Sequence, residues 1–143
     1  MVDEARVLAL LRSIPADLAF LDREAGADES RRADEAWLRG IKYAFVTAIG
    51  GCMDIAQHLA ASESWGAPGT NADAVRVLGR HGVLDPALAD RLGRAVGFRN
   101  VLVHDYVEVD DAIVLARLAD HAELDGFVVG VLRWLDPATG RLA

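Results

Sequence analysis

A single cysteine, Cys52, stands in 143 residues, which excludes an intrachain disulfide and a cysteine-rich metal site. One free thiol fits a reducing compartment, so a cytoplasmic location is expected. Proline is scarce, with four residues, and little therefore interrupts long helices. Aromatic residues make up 6% and are not interleaved with basic ones, which argues against an open single-strand-binding platform. The longest apolar stretches, such as YAFVTAIGG, fall well short of the ~20 residues that cross a bilayer. No membrane association is expected, and the opening MVDEAR lacks the basic patch and apolar core of a signal peptide. Glycines are dispersed and form no phosphate loop. His58, His81 and His121 lack the neighbouring ligands of a zinc motif, so neither metal nor cofactor is expected.

What remains is a chain rich in apolar residues, at 52%, long enough to bury a core without metal or disulfide support. A single domain over residues 1–143 is the expectation. Lys and Arg number 15 against 22 Asp and Glu, a net charge of -7. That balance excludes a general polycation that coats nucleic acid. It leaves room for a local arginine cluster that focuses a positive field in a cleft, and for a basic protein partner.

Hydrophobic periodicity is helical throughout. Val7, Leu11, Ile14, Leu18 and Leu21 form one stripe between Asp3 and Glu24. Pro15 lies inside it and should bend one continuous helix or divide it. From Asp28 to about His58, Trp37, Ile41, Phe45, Ala48, Cys52, Ile55 and Leu59 repeat every three to four residues. Gly50 and Gly51 interrupt that run, through either a close helix crossing or a local bend beside a site. Ser64 to Thr70 is a connection, after which Asn71 can cap a short helix, Ala72 to Arg80, ending at His81-Gly82. Asp85-Pro86 starts a helix bearing Leu88, Leu92 and Val96. A last helix begins near Asp110 or Asp111, carries Ile113, Leu118, Phe127, Val131, Leu132 and Leu135, and stops at Pro137. Trp65 is placed over the end of the bundle and Trp134 between the last helix and the first. The architecture expected is all-α, four long helices and one short helix in a bundle.

The chemistry concentrates in GFRNVLVHDYVEVD, residues 97–110. Metal-free RNA cleavage needs a base for the 2'-hydroxyl proton, and histidine, with an ordinary pKa near ~6.5, suits it. It also needs a donor for the crowded phosphate, which a guanidinium supplies. Arg99 and His104 are the candidates, and Tyr106 can position phosphate or stack a base. Arg99 and His104 are five residues apart, hence about 140° apart around an ideal helix. One straight helix does not present both to one substrate, so a helix end, a neighbouring element or a second subunit is required. Asn100, four residues before His104, can orient the imidazole. Asp54, off the apolar face of the second long run, can hold Arg99 or His104 from across the bundle. A surface role for Arg99, a structural one for His104 and an exposed Asp54 are compatible with the same spacing.

The run Arg99-Asn100-Val101-Leu102-Val103-His104-Asp105-Tyr106 resembles the Arg, four residues, His, one residue, Tyr signature of HepT-like toxins in the HEPN superfamily. Val96-Gly97-Phe98 resembles the family's approach to that signature, CMDIAQHL its second-helix segment, and RHGVLDPALADRL its turn into the motif helix. The likeness extends over roughly the whole chain. It implies a HEPN-like bundle that dimerises about a two-fold axis, with both motif copies at one cleft. It further implies a metal-independent endoribonuclease toxin paired with a minimal nucleotidyltransferase antitoxin, which transfers AMP from ATP to the motif tyrosine. Carried onto this chain, Arg99, His104 and Tyr106 are catalytic, and Tyr106 is also the modification target. The superfamily's other members imply an alternative: a non-catalytic RNA-binding domain or an accessory subunit of a nucleotidyltransferase. Pro15 and Gly50-Gly51 depart from the family's helix-friendly pattern.

Overall fold

A computed structural model describes residues 2–104 and 109–136. Its elements are α1 (Glu4–Leu11), α2 (Ser13–Glu24), α3 (Glu29–Arg32), α4 (Glu35–Ser62), α5 (Asn71–Arg80), α6 (Pro86–His104), α7 (Asp111–Ala119) and α8 (Ala122–Leu135). No strand occurs among the described residues. No helix among them is long and apolar enough to cross a membrane.

The 28-residue α4 is the central post, against which α1, α2, α5, α6 and α8 all pack. Every residue of its expected stripe is buried, from Trp37 through Ile41, Phe45, Ala48, Cys52 and Ile55 to Leu59. Each large aliphatic or aromatic side chain placed there contributes about 1.5–3 kcal/mol relative to exposure. The first stripe is buried as well, at Val7, Leu11, Ile14, Leu18 and Leu21. Phe127 and Val131 close the core from α8, and one contiguous apolar cluster joins all these helices.

The helix count differs from expectation at three places. The first run divides at Arg12, which keeps αR backbone angles. Pro15 acts one turn upstream of itself: it has no N–H for the Leu11 carbonyl, and its ring crowds that group. The second run contains two caps. Asp28 accepts the Arg31 N–H at 2.9 Å and starts α3; Asp34 accepts the Ala36 N–H at 2.9 Å and starts α4. The long helix therefore begins at Glu35 and runs on to Ser62. The last run also divides. Asp120 adopts extended angles, and His121 turns the chain into α8.

Smaller corrections follow from particular bonds. Thr70, not Asn71, caps α5, its Oγ1 accepting the Asp73 N–H at 3.0 Å. Asn71 instead accepts from Gln57 Nε2 at 3.2 Å and ties α5 to α4. Ile113 and Leu132 face outward, at 53% and 45% exposure. Trp65 stacks on His81 with ring centroids 4.4 Å apart, and Trp134 meets its edge at 5.8 Å. Trp134 therefore packs over the α4–α5 connection, through Trp65.

Candidate active site

The motif residues ride on α6. Its start follows from Asp85-Pro86, since proline fits a first turn where no intrahelical N–H is needed. Its apolar face, with Leu92, Val96, Phe98 and Leu102, is buried. Phe98 meets Phe45 of α4 edge-on at 5.3 Å, which fixes the rotation of α6 about its axis. The α5–α6 packing is closer still: a Cβ on Gly79 would lie 2.6 Å from the Ala89 Cβ.

On this scaffold Arg99 is partly buried, while His104 is exposed at the last residue of α6. The helix persists through both, so their separation of about 140° holds. No hydrogen bond joins them among the described residues. The Arg99 Nε is buried and has no hydrogen-bond partner among the described residues. Its Nη1 donates to Asn100 Oδ1 at 3.3 Å. Asn100 is thus engaged with Arg99, and no bond to His104 is formed among the described residues. Asp54 is exposed on α4, and no bond from it to Arg99 or His104 is formed among the described residues. Tyr106 lies outside the described residues.

The structure also assembles groups that the sequence pattern did not point to. Arg91 and Arg94 of α6 face Arg117 of α7 across a cleft of about 370 Å³. Glu24 is buried among cations and donors. It accepts from Arg31 through both oxygens, from Trp37 Nε1 at 2.8 Å and from Arg23 Nε at 3.4 Å. The Arg31 hydrogen bond holds its carboxyl below the usual carboxylate range, against the opposing effect of desolvation.

His121 has carboxylate neighbours after all. Its ligand atoms lie within 4.8 Å of those of Asp22 and Asp125, one possible ligand atom from each residue. The buried imidazole is fully engaged, with Nδ1 3.0 Å from the Leu118 carbonyl and Nε2 2.7 Å from Asp22 Oδ1. It clamps α2 to the α7–α8 corner. Partial desolvation of the exposed Asp125 carboxyl, reinforced by Asp22, pushes it up, and His121 opposes that shift. Asp22 and His121 are 99 positions apart, and no local spacing announces the pair. Cys52 is buried within α4, and burial pushes its thiol far up, which leaves it inert.

A family model for HepT-like ribonucleases matches residues 10–128. Among named relatives, an mRNA nuclease HepT of Shewanella oneidensis is 35% identical over 72 residues, which is 50% of this chain and 54% of that protein. A tRNA nuclease HepT of Aphanizomenon flos-aquae is 36% identical over 58 residues, covering 41% of this chain and 40% of its own length. The match thus spans about half, or less, of the length of these relatives. A tri-AMPylated HEPN toxin of Shewanella oneidensis, solved in complex with an MNT antitoxin, superposes with a TM-score of 0.80 at 22% identity. That alignment covers 88% of this chain and 96% of the other. The Bacillus subtilis cytosolic protein YutE, of unknown function, superposes with a TM-score of 0.82 at 19% identity, over 97% and 94% of the two chains.

Proposed function

The chain belongs to the HepT-like ribonuclease family, and from that premise we propose that it is the metal-independent endoribonuclease toxin of a toxin–antitoxin pair. The observation that carries the reading is the Arg99 guanidinium, with a buried Nε unpaired among the described residues, on the helix that ends in His104. Only Nη1 is engaged among the described residues, so further Nη donors are left for a phosphate oxygen.

In the proposed reaction His104, in its neutral form, takes the 2'-hydroxyl proton. The 2'-oxygen attacks the adjacent phosphorus, and the bond to the 5'-oxygen of the next nucleotide breaks. That oxygen leaves as the proton taken up by His104 is returned to it, and a 2',3'-cyclic phosphate remains. Arg99 stabilises the charge that gathers on the non-bridging oxygens. Because the two side chains diverge around α6, a homodimer that brings two motif copies to one cleft is part of the proposal. Control is assigned to Tyr106: AMP transferred from ATP by a nucleotidyltransferase antitoxin adds a phosphodiester charge where substrate phosphate would sit.

The test is cleavage of tRNA and mRNA by the purified chain in EDTA, with end-group analysis. Retained activity with cyclic-phosphate ends, lost by at least about 100-fold in Arg99→Ala and His104→Ala, is the expected result. Activity abolished by EDTA and restored by a divalent ion overturns the mechanism. RNA binding without cleavage returns the chain to the accessory-subunit alternative. Intact-mass measurement with ATP and the cognate antitoxin should show AMP on the wild type and none at residue 106 in Tyr106→Phe.

A further inference from the structure

The cleft between α6 and α7 has no part in the chemistry described above. Arg91, Arg94 and Arg117 line it, together with Ile113, Ala116, Asp120 and Glu123. In a chain of net charge -7, three guanidinium groups around one concavity require an explanation. The two acids are already engaged: Glu123 Oε1 accepts from Arg117 Nη1 at 3.1 Å, and Asp120 Oδ1 accepts the Ala122 N–H at 3.3 Å. Arg94 pairs with Asp90 at 2.8 Å, one turn back on the exposed side of α6. Arg91 makes no ion pair or hydrogen bond among the described residues. Arg117 is further fixed by lying over the Phe98 ring, 5.2 Å from its centroid. The lining thus combines one uncommitted cation, two held ones and an apolar floor. Ile113 is 53% exposed there, although its helix has a core face available.

Position decides what such a cleft takes. Arg94 and Arg91 precede Arg99 by five and eight residues on the same helix, about 7.5 and 12 Å along its axis. Arg91 lies about 80° from Arg99 around α6, so a single strand whose scissile phosphate meets Arg99 would carry a neighbouring phosphate past Arg91. Arg94, about 140° from Arg99, is reached where the strand bends around the helix towards Arg117. Guanidinium forks suit phosphodiester oxygens, and the apolar floor suits a ribose or base face. We infer that the Arg91–Arg94–Arg117 cleft binds the backbone of single-stranded RNA beside the cleavage point. It is a substrate-positioning subsite, and it rests on the ribonuclease reading of the same helix.

The experiment uses full-length chain with His104→Ala to silence cleavage, and a fluorescent 12-nucleotide RNA titrated by anisotropy over a series of salt concentrations. Each single-strand phosphate contact contributes about 0.7 to the slope of log affinity against log salt. Arg91→Gln with Arg94→Gln should lower that slope by about 1.4 and weaken binding about 25-fold near 0.1 M salt. Arg91→Lys with Arg94→Lys should keep most of the slope. Both sites are exposed, and circular dichroism verifies that the variants fold. If the glutamine pair leaves slope and affinity unchanged while the otherwise wild-type enzyme still cuts RNA, the subsite is refuted and the ribonuclease reading survives. If the pair instead spares RNA binding and weakens the antitoxin complex, the cleft is a protein-docking surface and the inference fails. If the wild type neither binds nor cuts RNA, both readings fall together.

Discussion

Gly50 and Gly51 are adjacent in α4, yet the structure gives them opposite reasons to exist. A Cβ built on Gly50 meets nothing within 4 Å, whereas one on Gly51 would lie 2.9 Å from Ile14 Cγ1 and 3.2 Å from its Cδ1. The first glycine therefore costs helix stability with no packing return, and the second lets α2 approach α4. Gly50→Ala should recover the propensity difference, about 0.8–1 kcal/mol, and raise Tm by about 3–6 °C. Gly51→Ala gains the same propensity but must displace Ile14, which is fully buried. Overpacking of that kind costs about 1–3 kcal/mol, so the net change is about 0–2 kcal/mol of destabilisation. Urea unfolding followed by circular dichroism separates the two, provided m stays constant so that a shift in midpoint reports stability. A Gly51→Ala protein as stable as Gly50→Ala would refute the close-crossing account of this pair.

Three further expectations rest on buried or crowded ionisable groups. Glu24 has its carboxyl held below its usual 4.5, so its ion pairs stabilise the fold above that value and the contribution is lost as pH falls through the folded-state value. Glu24→Gln should lower the urea midpoint at pH 7, with the gap to wild type closing toward pH 3; a gap independent of pH would contradict this. Asp125 is displaced upward from 3.8, so its charge opposes folding as pH rises past that range. Asp125→Asn should raise Tm at pH 7 by about 1–2 °C, a small effect because the group is exposed, with no difference at pH 3. Cys52 should resist a thiol reagent in the native state and react at a rate set by unfolding. Complete labelling within minutes under native conditions would show that its site opens locally.

The core was legible because burial imposes a period. In the first two stripes every residue picked by three-to-four spacing is buried, since α1, α2 and α4 each present one face to the same interior. The helix breaks were less legible because they depend on which of several permitted events wins. Asp28 and Asp34 are both good caps, and only three-dimensional packing shows that the chain uses both. At Asp120 the apolar pattern continues, but His121 turns the chain so that its imidazole can meet Leu118 and Asp22. Ile113 and Leu132 followed the stripe in sequence and left it in space, because the interruption resets the phase of α8 relative to α7.

The same phase argument explains how much of the site could be read. Residues on one helix differ by about 100° per position, so the sequence alone established that Arg99 and His104 diverge. It could not establish which of them faces the protein, because that depends on the absolute rotation of α6. Phe98 packed on Phe45, and Ala89 packed against Gly79, set that rotation. They turn Arg99 partly inward and leave His104 outside. Asn100 then falls within reach of the Arg99 guanidinium and away from the imidazole it was expected to orient. Arg91 and Arg94, three residues apart on α6, carried no signal in the sequence. Their facing partner, Arg117, comes from a different helix, and only the fold makes the three a cleft. Substitutions at Gly79 should therefore disturb the site through the helix that carries it, although no Gly79 atom need touch substrate. A larger residue there separates α5 from α6, and Arg99, Arg91 and Arg94 move together because one helix carries all three.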